Sequence, residues 1–187
     1  MRTVRGVPTV RNATVVRRWI AALAGVAGLL MIASSFLPWI RTDTEDGGTT
    51  SITGWGGIAG SSGIAGTNLN DVLDGSASYR PGLLGLIFGS IALIAAIAIA
   101  GVSQGRRPHR ITAAVLSLTG LICTGWGVFR GIDPGDAGVF EAGDVSVGIG
   151  PWLTALGGVL MLAAAAVIFA GVIDPPKPPA RRGIQPR

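Results

Sequence analysis

Cysteine occurs once in this chain of 187 residues, at Cys123, which excludes an internal disulfide and any metal centre built from several thiolates. Histidine also occurs once, at His109, too few for most zinc chemistry. Its neighbours Arg106, Arg107 and Arg110 disfavour protonation and a bound cation alike. Charge of either sign is scarce: 13% of residues are Asp, Glu, Lys or Arg, where an ordinary soluble domain has about 25%. No set of Ser, His and Asp suggests nucleophilic catalysis, and no glycine-rich loop ends in the Lys of a phosphate cradle. The stretch from Gly57 to Gly66 is glycine-rich but lacks the strand and helix context of a dinucleotide fingerprint. These absences point away from an enzyme and leave no cofactor to expect.

What the chain has is apolar length. Mean hydropathy is +0.56, and the apolar residues gather into four blocks separated by nearly all of the charge. The blocks predict membrane-spanning helices over 19–40, 82–102, 111–130 and 151–173. At 1.5 Å per residue each covers about 30 Å of hydrocarbon, and within lipid only a helix or a closed barrel satisfies the backbone. The first block also invites reading as a cleaved signal peptide. It is longer than an ordinary signal core and closes on Pro38 and Trp39, an interfacial pair, so the expectation is a retained helix. Between the spans lie a basic leader (1–18), an outer loop (41–81), a basic connector (103–110), a second outer loop (131–150) and a Pro-rich basic tail (174–187).

Net charge is +5, yet its distribution reads as an orientation signal and not as a nucleic-acid surface. Twelve of the 15 basic residues fall in the leader, connector and tail. Arg41, Arg80 and Arg130 lie on the other side with nine of the ten acids. By the positive-inside rule both termini are expected in the cytoplasm of a bacterial inner membrane. The tail, with five prolines and four basic residues, is expected to stay extended against anionic lipid headgroups or to dock on a cytoplasmic protein.

The outer loops carry hairpin signals. Asp46, Gly47 and Gly48 separate two Thr-rich arms, and Ala142, Gly143 and Asp144 separate Val139 and Phe140 from Val145 and Val147. Paired, the two predict one small antiparallel sheet, with a helical turn near Asn70 to Leu73. Segments SITGWGG and SVGIGPW, alike in composition, suggest an internal repeat or a coincidence of a glycine-rich chain. The outer acids Asp43, Glu45, Asp46, Asp133, Asp136, Glu141 and Asp144 read as a solvated surface, with cation binding as the alternative.

Lipid tails are as apolar as Leu, so helices associate through small residues that permit close approach. Gly85, Gly89, Ala92, Ala96 and Ala100 share one face of the second span and form the candidate packing or partner face. Ala113, Ser117, Gly120, Thr124 and Gly127 repeat the pattern in the third, and Thr154, Gly157, Gly158, Ala165 and Ala166 in the fourth. Trp19, Trp39, Trp126 and Trp152 are expected as interfacial anchors. Trp55, in the first outer loop, is expected in the core of the outer cap or as an outer contact. No Asp, Glu, Lys, Arg or His falls within the uncharged runs of the predicted spans, Arg130 standing at the very end of the third, which removes the coupling groups of an ion-driven transporter, and Cys123 reads as a small buried residue.

Leu37, Pro38 and Trp39 at the end of the first span, Gly54 and Trp55 at the hairpin exit, the connector RRPHR and the segment VSVGIGPWLTALGG together resemble a group of small, largely uncharacterised four-span membrane proteins from actinobacteria. The likeness runs from Trp19 to Ile173, and it implies no enzyme activity and no functional residue. The layout is also similar to claudin-type tetraspans, without the paired cysteines of their first outer loop, and this is an architectural analogy. The expectation is an all-α membrane protein: a four-helix bundle with a small extracytoplasmic antiparallel β cap. Its expected role is that of a non-enzymatic accessory or assembly subunit of a cell-envelope or transport complex, partnered by the bilayer and by other membrane subunits. A small neutral-solute or lipid transporter is the alternative, and an enzyme acting on lipid ranks third. A reporter active only in the cytosol, fused after Arg187, should be active; activity of an export-dependent reporter there would reverse the orientation.

Overall fold

The computed structural model describes residues 10–43, 47–73, 78–101, 106–135 and 145–173. Glu45, Asp46, Asp74, Asp136, Glu141, Asp144, the hairpin arm at Val139 and Phe140, most of the leader and the whole tail lie outside the described residues. The elements run α1 (Val10–Ser34), β1 (Pro38–Asp43), β2 (Thr49–Thr53), β3 (Ile58–Gly60), α2 (Leu69–Val72), α3 (Leu83–Gly101), α4 (Arg106–Ile132), β4 (Ser146–Val147) and α5 (Gly150–Phe169). Among the described residues, α1, α3, α4 and α5 are long and apolar enough to cross a membrane.

The helix ends differ from the sequence expectation for local reasons. α1 stops at Ser34 instead of continuing to Ile40. A tight turn follows, in which Phe36 N–H donates to Ala33 O (3.0 Å) and Leu37 N–H to Ser34 O (3.3 Å), and Pro38 disfavours helical backbone at the residue before it. Pro38, Trp39 and Ile40 therefore open a strand. α4 begins inside the basic connector, because Pro108 falls in its first turn, where a missing N–H costs no helical bond. α5 ends at Phe169, ahead of the expected Ile173, and Gly171 at φ 72° closes it in the left-handed region.

The four strands form one antiparallel sheet in the order β3-β2-β1-β4. Ile58, Ile52, Ile40 and Val147 pair across it in register. Ile40, Ile52 and Ile58 pack with Leu69 and Tyr79 into a small core of their own. Segments far apart in sequence, β1 and β4, thus meet in one sheet, as the two loop patterns suggested.

In the bundle, α1 lies between α3 and α5, and α4 packs on the far side of α5. The α1–α3 crossing is at Gly28 and Gly89, where a Cβ added to either residue would fall 2.7 Å from the carbonyl oxygen of the other. The α4–α5 crossing is at Gly120 and Gly158, with corresponding distances of 2.8 and 2.7 Å. Backbone therefore touches backbone at both seams, as in helix pairs that associate without a hydrophobic driving force. Around them a core of Ala24, Ala27, Met31, Ala92, Leu116, Cys123 and Met161 is fully buried.

Gly89→Leu and Gly158→Leu should each cost about 1–3 kcal/mol through overpacking, read as a lower Tm in detergent. Gly101→Ala and Gly125→Ala, where an added Cβ meets nothing within 4 Å, should be neutral or slightly stabilising. Equal Tm values for all four would show that the helices do not cross at these glycines.

Candidate functional site

Of the predicted face on α3, Gly85, Gly89, Ala92 and Ala96 are buried, while Ala100 is exposed and Ile99 is buried in its place. A helix of 3.6 residues per turn continues the series 85, 89, 92, 96 at 99, since a further step of four drifts off the stripe. Gly85 and Gly89 lie against α1, with an added Cβ at Gly85 reaching 2.9 Å from Met31 O. On α4 and α5, Ala113, Gly120, Gly127, Thr154, Gly157, Gly158 and Ala165 are buried, Ser117 and Thr124 half-buried, and Ala166 exposed.

The tryptophans separate by environment. Trp19 and Trp152 are exposed, whereas Trp39 is only 1% exposed and sits between bundle and cap. The register of β1 shifts between Pro38 and Ile40, so Trp39 is the bulged residue, a device that re-aims a side chain. Its indole Nε1–H donates to Ser34 O (2.8 Å). Gly54 and Gly150 lack the Cβ atoms that would collide with the ring. Trp55 is half-buried outside the cap core, with the Arg80 guanidinium 5.5 Å above its ring.

Hydroxyls of the long apolar helices and their ends hold the helices to one another and to their own turns. Ser34 Oγ donates to Met31 O (2.6 Å) and lies 2.8 Å from Thr154 Oγ1, which also bonds Gly150 O at 3.1 Å. Ser35 Oγ donates to Gly82 O at 2.7 Å, tying α1 to the start of α3. Ser90, Thr112, Thr119 and Thr124 each donate to a carbonyl four residues back.

Between α3 and α4, which barely touch, a cleft of about 350 Å³ opens at the cap end. One wall is Ser78 to Pro81; the other is Trp126, Phe129 and Arg130, which share a face of α4 by their i, i+3, i+4 spacing. Trp126 Nε1–H donates to Pro81 O (3.1 Å), bolting the walls together. Arg130, counted from sequence as an outer-side charge at the end of the third span, lies in the last turn of α4 and is 3% exposed. Its guanidinium stands 5.7 Å from the Trp126 ring centre, and its Nε has no hydrogen-bond partner among the described residues. Two outer-side arginines beside helix ends were the one signal in the sequence that could have marked this place.

Tyr79 is set by α2. Asn68 caps that helix through its side chain, and Asn70 accepts from Tyr79 N–H (2.7 Å) while donating to Tyr79 O (3.2 Å). Burial pushes the Tyr79 hydroxyl up from 10.0 to about 12, against the opposing charge of Arg130, so at neutral pH it is an uncharged donor.

Elsewhere the described acids Asp43, Asp71 and Asp133 are exposed. No group of three His, Cys, Asp or Glu that could hold a metal occurs among the described residues. His109 is buried, and neither ring nitrogen has a hydrogen-bond partner among them. A second hollow of about 490 Å³, between Val16, Trp19, Leu23 and Val26 of α1 and Val167 of α5, is lined by apolar side chains.

Tyr79 is the chain's only tyrosine, so ultraviolet difference spectroscopy reads it directly. Half-ionisation should come near 12 and not near 10. Stability, complete below the unfolded value of 10.0, should fall as pH rises toward about 12, because the unfolded chain loses this proton first. Tyr79→Phe should abolish that alkaline loss; ionisation at the ordinary value would place the ring in water.

No protein-family model, curated protein or solved structure matches the chain, so its function has to be argued from the arrangement of its own side chains.

Proposed function

We propose that the chain is a non-enzymatic integral protein of the bacterial plasma membrane, with both termini cytoplasmic and the sheet outside. In this reading it serves as an accessory or assembly subunit of a cell-envelope or transport complex. The observation that carries the proposal is the closed interior: glycine-to-carbonyl contacts seal the α1–α3 and α4–α5 seams, and the buried hydroxyls Ser34, Ser35, Thr119 and Thr154 bond to helices. A scaffold of this kind offers shape and a folded cap to a partner, and among the described residues the hydroxyls of the helix interior bond to backbone carbonyls. Large apolar side chains such as Ile94, Ile97, Leu118 and Leu121 point outward, toward lipid or neighbouring subunits.

A lipid carrier is the second reading, favoured by the apolar hollow beside Trp19, whose lining suits an acyl chain. The two differ in what they predict. Crosslinking in native membranes followed by purification of the tagged full chain in mild detergent should yield one membrane partner at fixed stoichiometry through gel filtration. Recovery as a free monomer, together with lipid transfer between vesicles by the purified chain, would replace the subunit reading with the carrier.

A further inference from the structure

Burying an arginine in an apolar setting is costly unless its charge and its N–H groups find partners. Arg130 meets half of that condition. The face of Trp126 supplies an electrostatic partner at 5.7 Å, a cation–π contact that is weaker than an ion pair. Its Nε nonetheless remains without an acceptor among the described residues, at the wall of a cleft roomy enough for a small ligand. A second cation, Arg80, lines the opposite wall; it is exposed, with its guanidinium 5.5 Å over the Trp55 ring, and the exposed Asp133 follows Arg130 by three residues. An anion in the cleft would have both arginines to draw on.

We propose that the cleft between Arg80, Arg130 and Trp126 is a binding site for a phosphoryl oxyanion. A guanidinium presents paired N–H donors that match two oxygens of such a group, and a phosphoryl oxyanion has oxygens enough to engage both arginines at once. The Tyr79 hydroxyl, neutral at physiological pH, is engaged with Arg130 and helps to hold that guanidinium at the wall. Trp126 holds the two walls in place through its bond to Pro81 O, so the site is assembled by the fold and not by the ligand.

Depth points to the source. Phe129 is 44% exposed and Ile132 75% exposed on the last turn of α4, so apolar surface continues past Arg130 to the helix end. Arginine and tryptophan at the end of a span occupy the level of lipid headgroups. A phospholipid can place its phosphate between the arginines while its chains follow the weakly packed α3–α4 seam; a free phosphate would use the same donors without the seam. The site stands apart from the subunit reading, since either a scaffold or a carrier can hold it.

The test uses the full chain in nanodiscs of equimolar phosphatidylcholine and phosphatidylglycerol, released for native mass spectrometry, with inorganic phosphate as competitor. The wild type should retain one phospholipid. Arg130→Gln should reduce retention about tenfold, the order expected for hydrogen bonds to a charged group, Arg130→Lys less, and Arg80→Gln severalfold. Displacement by millimolar inorganic phosphate assigns the site to a soluble phosphate; retention in its presence assigns it to lipid, and both support an oxyanion site. No retained lipid and no phosphate-dependent change in tryptophan fluorescence would overturn it. So would an equal loss in Arg181→Gln/Arg182→Gln, which changes only the tail. Should Arg130→Gln fail to fold, Arg80→Gln decides, and unchanged retention there overturns the proposal.

Discussion

The buried indole of Trp39 joins the two halves of this molecule. Its Nε1–H donates to Ser34 O at the end of α1, while its own carbonyl accepts from Gly148 N–H at the approach to α5 (2.9 Å). Ser34 then meets Thr154 of α5, and Thr154 bonds Gly150, whose missing Cβ leaves room for the indole. The circuit returns to its start. Each bond here is shielded from water, so breaking one leaves a polar group unsatisfied and costs about 1–3 kcal/mol. The sheet is therefore tied to the bundle through three side chains and two glycines, beyond the covalent links at Pro38 and Gly150.

That junction accounts for three sequence segments that otherwise read as composition. Leu37-Pro38-Trp39 supplies the ring and the turn before it, Gly54 beside Trp55 supplies one open wall, and Gly148-Ile149-Gly150 supplies the other. The likeness between SITGWGG and SVGIGPW has a common cause in this geometry: both must pass close to one large aromatic side chain. Elsewhere the bundle relies on the same economy. With no hydrophobic gain available between helices in lipid, contact distance does the stabilising, and glycine at Gly28, Gly89, Gly120 and Gly158 sets it.

Electrostatics divides the bundle by ends. Its middle is apolar, with hydroxyls returned to the backbone. At the cap end Arg130 is drawn inside, over Trp126 and next to Tyr79. At the other end His109 is buried and Arg17 Nε lacks a partner among the described residues. Among the described residues, charge is thus kept out of the middle of the bundle, and arginine enters it near the ends, where Arg130 lies against Trp126 and Arg17 keeps a buried Nε.

Apolar length, helix period and turn residues are local properties, and they made the four long helices, the β1–β2 hairpin, the meeting of β1 with β4 and the turn at Asn70 legible in the residues alone. Most of the small-residue face on α3 was legible too, because periodicity alone places Gly85, Gly89, Ala92 and Ala96 together. The fate of Trp39 was not: an aromatic at the end of an apolar run reads as an anchor, and only the register shift in β1 turns it inward. Ala100 lost its place to Ile99 because a third step of four residues drifts off a stripe that turns every 3.6. Arg130 read as an outer-side charge closing the third span, and its burial is decided by what packs alongside, here Trp126 of its own helix and Tyr79 from a segment about fifty residues earlier in the chain.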